Sequence, residues 1–412
     1  MMVVEMQKYK ILLLSGCPVS AKILGRINEA LNKIAKDKIL TKIIDTQAHY
    51  SPIAYLQKKF TFKSLFTLFK RLFGNRDVWW ARYIMDVEKP DIIVVGDEAG
   101  INTTFINIAN MKKIPTIAIQ VGMLTPNKRK DFTKILRWRK YLLWRLFSKI
   151  ISNFIVARIL LFIGWRFLTL EWGLGGCKRY AVMGEYYKRL LLDYGVPASN
   201  IVVTGYVLYD DITRYFPSEK MKIRVLEKLS LNPKQKIIVF LTQPLVEDKL
   251  CTFEKYSSIV TQIAATINNK YQLLIKPHPR EKKGKYESLL KKRNNIKILS
   301  DEQDINLFEL ISIADIVTTF YSTTALIAFT YKKPLILLDL FQTTFENILP
   351  KYAIGIHDVS KFRTILSSLD KIIDHFNYDN FISEHLYKLD GRAALRVAEI
   401  IMKALTGNNN AT

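Results

Sequence analysis

Three short clusters combine residue types that could do chemistry. In Pro90-Asp91-Ile92-Ile93-Val94-Val95-Gly96-Asp97-Glu98-Ala99-Gly100 an apolar run ends in two adjacent carboxylates set between glycines. A carboxylate at the end of a buried strand suits a general base, because burial can raise its pKa. The same acids also serve as helix N-caps. Residues 273–280 read Leu-Leu-Ile-Lys-Pro-His-Pro-Arg. Proline fixes φ and cannot continue a central ladder, so the strand stops and leaves His278 held between Pro277 and Pro279, flanked by Lys276 and Arg280. An imidazole beside fixed cations suits a nucleotide phosphate, and a capping turn with a surface histidine is the alternative. The third cluster, Thr318-Thr319-Phe320-Tyr321-Ser322-Thr323-Thr324-Ala325, ends a strand in hydroxyls that open a helix. Such hydroxyls, with free helix N-terminal amides, form an anion site or simply an N-cap.

Positioning these clusters requires strands that end together. Strands are expected at 9–15, 91–95, 114–121, 179–183 and 201–204, with helices at 21–36 and 103–111 between them. A second series has strands at 237–241, 272–275, 296–299, 316–319 and 335–338, with helices at 256–268, 307–314 and 325–331. A last helix is expected at 386–405. Alternation of this kind predicts parallel βαβ units, and ligands of such sheets bind beyond the carboxyl ends of the strands. Gln243, after the first strand of the second series, and Gly205, after the last strand of the first, join the candidate residues there. The expected division is a first doubly wound domain over 1–210, a second over 211–385 and a closing helix with a frayed tail over 386–412. The 412 residues are too many for one comfortable core.

The net charge of +25 is concentrated. Residues 58–76 carry six basic side chains and no acidic one, and 128–149 carry nine basic side chains against Asp131 alone. Both are also rich in large apolar groups, among them Phe66 beside Lys63 and Lys70, and Trp138 and Trp144 beside Arg137. Basic plus apolar is the pattern of a surface that meets anionic lipid, and nucleic acid is the less favoured partner. Residues 150–170 are long enough to span a bilayer, but Arg158 and Arg166 fall on one helical sector, which favours a helix lying in the interface, with Trp165 among its apolar residues, or packed on the protein core, over one that crosses. The region 125–172 therefore reads as a basic amphipathic helical insertion. The apolar run 9–15 reads as a first strand rather than a signal peptide. Cys17, Cys177 and Cys251 lie too far apart for a metal or disulfide framework, and there is no Asp-x-Asp motif.

Taken together, the Lys276-Pro277-His278-Pro279 turn and the later Ser322-Thr323-Thr324 turn resemble those of GT-B glycosyltransferases of surface and capsular polysaccharide synthesis. That group includes sialyltransferase-like and polysialyltransferase-like enzymes. Asp97-Glu98 is similar to the acidic pair that carries their general base, with Ala99 intervening before Gly100. The resemblance implies two doubly wound Rossmann-like domains facing an interdomain cleft. It makes the first the acceptor side and the second the nucleotide-binding side, with a nucleotide-sugar donor held by Lys276, His278, Pro279, Ser322, Thr323 and Thr324, which Arg280, Gln243 and Gly205 at the strand ends would join. It further implies an inverting, metal-independent transfer with no cofactor, in which Asp97, or less favourably Glu98, takes the acceptor proton and His278 supports the leaving phosphate. The acceptor would be a glycan or a lipid-linked glycan, at the inner face of the cell membrane. Gly184-Glu185, Gly195-Val196-Pro197 and Asp390-Gly391-Arg392-Ala393 extend the resemblance along the chain.

Two related enzyme classes are alternatives. UDP-N-acetylglucosamine 2-epimerases carry a Glu where Gln120 stands here, and an amide cannot transfer that proton. CDP-glycerol-type transferases use a further His in the first domain, where only His49 is available. Ile327 occupies the place of a ribose-binding Glu of many UDP-sugar transferases, which favours a CMP-sugar. A non-enzymatic membrane or nucleic-acid scaffold is the remaining alternative.

Overall fold

A computed structural model describes residues 8–46, 76–98, 101–124, 172–173, 175–215, 217–290, 293–300, 305–320, 324–340, 352–372 and 376–407. Lys63, Phe66, Lys70, Arg137, Trp138, Trp144, Arg158, Trp165, Ser322 and Thr323, and the expected insertion up to residue 171, lie outside them. The chain divides into two compact units, one of residues 1–210 with 383–412, the other of residues 211–382.

The first unit contains β1 (Tyr9–Ser15), α1 (Pro18–Ala35), β2 (Ile39–Asp45), α2 (Arg76–Glu88), β3 (Ile92–Val95), α3 (Ile101–Met111), β4 (Thr116–Ile119), β5 (Arg179–Val182), α4 (Glu185–Asp193) and β6 (Ile201–Val203). All strands run parallel, in the order β2-β1-β3-β4-β5-β6. Helices cover both faces of such a sheet, so its central strands are apolar along their whole length. Accordingly β3 and β4 are buried at every position. Residues 39–45, for which the pattern predicts no element, form the edge strand β2. Its partial exposure, with Leu40 and Ile43 open, blurs the signal of a buried strand.

The second unit contains α5 (Glu219–Lys228), β7 (Lys236–Leu241), α6 (Phe253–Thr266), β8 (Tyr271–Lys276), β9 (Ile296–Ile298), α7 (Leu307–Ile313), β10 (Ile316–Thr319), α8 (Ala325–Thr330), β11 (Leu335–Leu338), β12 (Ile354–Ile356), α9 (Phe362–Ile372) and α10 (Tyr378–His385). Its sheet is again parallel, in the order β12-β11-β10-β7-β8-β9. Between the two strand series lies α5, for which the pattern predicts no element; its Ser218 caps the Met221 amide. Fully buried Phe240, Tyr256, Tyr286, Phe320 and Phe362 fill the core of this unit.

The closing helix does not begin at 386. Tyr387 (φ 65°) and Gly391 (φ 69°) take left-handed backbone, which separates α10 from α11 (Ala393–Thr406). Helix α11 then packs on α1 of the first unit. Asp210 caps it from a distance, accepting from the amides of Ala393 (2.8 Å) and Ala394 (2.7 Å). Arg396 reaches the carbonyl of Thr204 at 2.7 Å.

His385 is buried against the ring of Tyr186, with centroids 4.7 Å apart. Desolvation pushes its imidazole down to about 4. The unfolded chain, with histidine near its ordinary 6.5, therefore binds the proton more readily. Stability contributed by neutral His385 is complete above that value and is lost as pH falls toward 4, by up to about 3 kcal/mol. Urea unfolding of wild type and His385→Gln at pH 7 and pH 4.5 checks this. The wild type should lose more stability on acidification than the variant, and equal losses would refute it.

Candidate functional site

Each unit presents chemistry where its strand order reverses, the place at which open parallel sheets bind ligands. In the first unit this point lies between β1 and β3. Leu14 pairs with Val95, so the chain leaves the two strands at the same height. Asp97 and Gly16 meet there: a Cβ on Gly16 would lie 2.0 Å from Asp97 Oδ2. A side chain at 16 would displace the carboxylate. The neighbouring loop is tied by Ser20, whose hydroxyl accepts from the Gly16 and Cys17 amides at 3.0 Å each. On the other side Asn102 Nδ2, fully buried at the start of α3, donates to Asp97 Oδ1 at 3.1 Å. Asp97 is itself only half-buried.

Glu98 has a different environment. It is buried, and its Oε2 accepts from the amides of Gly173 (2.6 Å) and Gly175 (3.2 Å). Burial pushes its carboxyl above the ordinary range, opposed by those two amides and by hydrogen bonds with Cys177 and Tyr180. It fastens the backbone of 173–175 to the strand end, and that is a structural task. Gly175 is required beside it, since a Cβ would fall 2.6 Å from Glu98. The Cys177 thiol, buried beside this carboxyl, is pushed well up by desolvation first and by Glu98 second, which makes it a poor nucleophile. Gln120 is also accounted for locally: buried, it accepts from the Met183 amide at 2.9 Å and donates to the Gly122 carbonyl at 2.8 Å.

In the second unit the reversal lies between β7 and β10. Thr319 pairs with Leu241, and Leu241 with Lys276, so three strand ends stand in register. Gln243, the His278 turn and the hydroxyl cluster all leave from this edge. Thr319, which is buried, donates to the Leu241 carbonyl at 2.8 Å. Thr324 is half-buried at the N-terminus of α8.

The His278 turn is tightly specified. The His278 amide donates to Glu281 Oε2 at 2.9 Å and lies 3.1 Å from Thr242 Oγ1. The Glu281 amide closes the turn on the His278 carbonyl at 2.9 Å. The Arg280 amide donates to His278 Nδ1 at 3.1 Å, so the neutral ring carries its proton on Nε2. Desolvation, and then the Arg280 charge, hold the imidazole below its ordinary pKa. At neutral pH His278 is a neutral hydrogen-bond donor.

Two residues of the expected donor set have local partners. The Arg280 guanidinium is engaged twice by Asp248, at 2.7 and 2.9 Å, and so braces the β7–α6 loop. Gly205 belongs to the first unit, where φ of +88° and a Cβ position 3.2 Å from Arg396 account for the glycine. Pro279 is exposed, while Lys276 and Gln243 are half-buried. Sequence reasoning did not single out Glu281, Asn102 or Gly16. Glu281 stands three residues after His278 and Gly16 directly follows a strand, and only those spacings could have drawn attention to them.

Gly16→Ala tests the seat of Asp97. The added methyl must push the carboxylate from its place, so activity should fall by at least about tenfold while the melting temperature changes little. Unchanged activity would mean that Asp97 is not used in this position.

Comparison with known proteins fits this architecture. The sequence profile of the alpha-2,8-polysialyltransferase (POLYST) family matches residues 22–332. No curated protein matches the sequence. Among solved structures, MnaA of S. aureus with UDP is similar at a TM-score of 0.59 and 15% identity, covering 97% of each chain. The UDP-GlcNAc 2-epimerase of Neisseria meningitidis, bound to UDP-GlcNAc, gives 0.58 and 15%, covering 96% of this chain and 100% of that one. The wall teichoic acid polymerase TagF, soaked with CDPG, gives 0.52 and 12%, covering 98% and 91%. At these identities the likeness shows a common fold of two Rossmann-like domains, GT-B. The scaffold reading is set aside by the family match: this chain belongs to the alpha-2,8-polysialyltransferase family and is a GT-B glycosyltransferase.

Proposed function

We propose that the chain transfers a sugar, with inversion, from a CMP-activated donor to a glycan or lipid-linked glycan at the inner face of the cell membrane. The observation that carries the reading is the His278 turn, where strand register brings Lys276, Gln243 and Thr319 to one edge and Nδ1 is already occupied by the Arg280 amide. In this reading the Nε2–H and the Lys276 ammonium face the donor phosphate and stabilise the charge that develops on it as the sugar leaves. Ser322, Thr323 and Thr324 add hydroxyl and amide donors. Asp97, steadied by Asn102, takes the proton from the acceptor hydroxyl as it attacks the anomeric carbon. Glu98 is left to its structural task. The scheme routes no step through a metal or other cofactor, because cationic and N–H donors fill the charge-stabilising role. A cytidine donor is favoured by Ile327, a buried apolar side chain on α8 that offers a ribose no carboxylate.

A thermal-shift series with CMP, CDP, UDP and GDP tests the donor side, since a ligand of the native state raises the melting temperature by mass action. CMP should give the largest shift, and His278→Ala should remove it. A larger shift with UDP would overturn the cytidine assignment. In the same series Asp97→Asn should keep the CMP shift but lower turnover by about a hundredfold or more.

The segments 58–76 and 128–149 supply the membrane contact in this proposal, on the strength of their composition. Among the described residues no helix is long and apolar enough to cross a membrane. Flotation with neutral and with anionic vesicles should show binding to the anionic ones alone, weakened by salt. Absence of binding to both would remove the membrane from the proposal.

A further inference from the structure

Beneath the His278 turn lies a buried polar cluster to which the proposed chemistry gives no role. Its centre is Glu281, whose carboxylate receives donors on both oxygens. Oε2 takes the His278 amide at 2.9 Å and the Thr242 hydroxyl. Oε1 takes Tyr286 (2.7 Å), Lys285 (3.0 Å) and Tyr256 (3.2 Å). Lys285 is as buried as its partner, with its ammonium 4.1 Å from the centre of the Tyr256 ring and 3.3 Å from Glu247. The two tyrosine hydroxyls are 2.8 Å apart.

A buried ion pair is a weak source of stability, because desolvating both charges offsets most of their attraction. Packed side chains of similar size would fill the same space at no greater cost. What such chains could not do is hold the backbone of the turn. Glu281 grips the His278 amide with its side chain and the His278 carbonyl with its own amide. Between those two fixed points the Arg280 amide is aimed at Nδ1. Lys285 and the tyrosines in turn fix the carboxylate, since five donors converge on it and its rotamer has no freedom.

We propose that Glu281, held by Lys285, is a positioning residue that sets the tautomer of His278, placing its proton on Nε2 and keeping that N–H oriented for the ligand. The benefit for nucleotide binding rests on the donor reading above; the tautomer itself does not. Imidazole nitrogen NMR of the protein without ligand, with His278→Ala to assign the signals, reads the tautomer directly. Wild type should show a single form, protonated at Nε2. Folded Glu281→Gln should show a mixture of the two tautomers and bind CMP about tenfold more weakly. A single Nε2–H form in that variant would overturn the proposal. Should Glu281→Gln fail to fold, Glu281→Asp, which keeps the charge beside Lys285 but is one methylene shorter and so withdraws from the His278 amide, decides by the same criterion. If His278→Ala leaves the CMP shift intact, the donor reading fails while the tautomer result stands.

Discussion

Both sheets of this protein are parallel, and a parallel sheet covered on both faces leaves its strands few places for polar groups. Within β3, β4, β10 and β11 every residue is buried, and the only hydroxyls are those of Thr116, Thr318 and Thr319. Charged groups are therefore displaced to the points where strands end. Because all strands run the same way, those ends gather along one edge of each sheet. Asp97 with Gly16, and His278 with Gln243 and Thr319, are products of that constraint.

Adjacent residues at such an edge can face opposite fates. Asp97 and Glu98 are neighbours of similar chemistry, yet one is half-exposed and steadied through a single oxygen by Asn102. The other is sealed in and consumed by two backbone amides. The strand has ended, so the alternation of faces no longer sorts them. What separates them is the return of the chain at 173–177, which needs an acceptor for its amides and finds it in Glu98. A similar division operates around His278, where the two flanking cations part company. Arg280 is spent on Asp248, and Lys276 stays at the strand end.

The hidden work in the second unit is done by acids. Glu281, Glu247 and Asp248 belong to or face the most basic-looking motif of the chain, and each holds a donor that a reading of charge alone would have sent to the ligand. The result is an imidazole held below its ordinary pKa, with Nδ1 occupied by the Arg280 amide. A chain with net charge +25 thus organises the His278 edge through carboxylates rather than through an accumulation of cations.

The alternation of apolar runs with helical stretches, and the residue types where each run stops, were legible in the sequence because burial on both faces demands unbroken apolar strands and proline or glycine must end them. That was enough for the fold class and for placing Asp97, Lys276 and His278 at strand ends. Edge strand β2 was not legible, since half of it is exposed and its pattern is mixed. Nor was the break before α11, which depends on Tyr387 accepting left-handed backbone. The sequence determined which groups reach the carboxyl edges, because that follows from local periodicity. Only the tertiary structure decided which of them are tied down far along the chain, because hydrogen bonds between residues as distant as Glu98 and Gly173, or Arg280 and Asp248, are made by chain returns that no local pattern records.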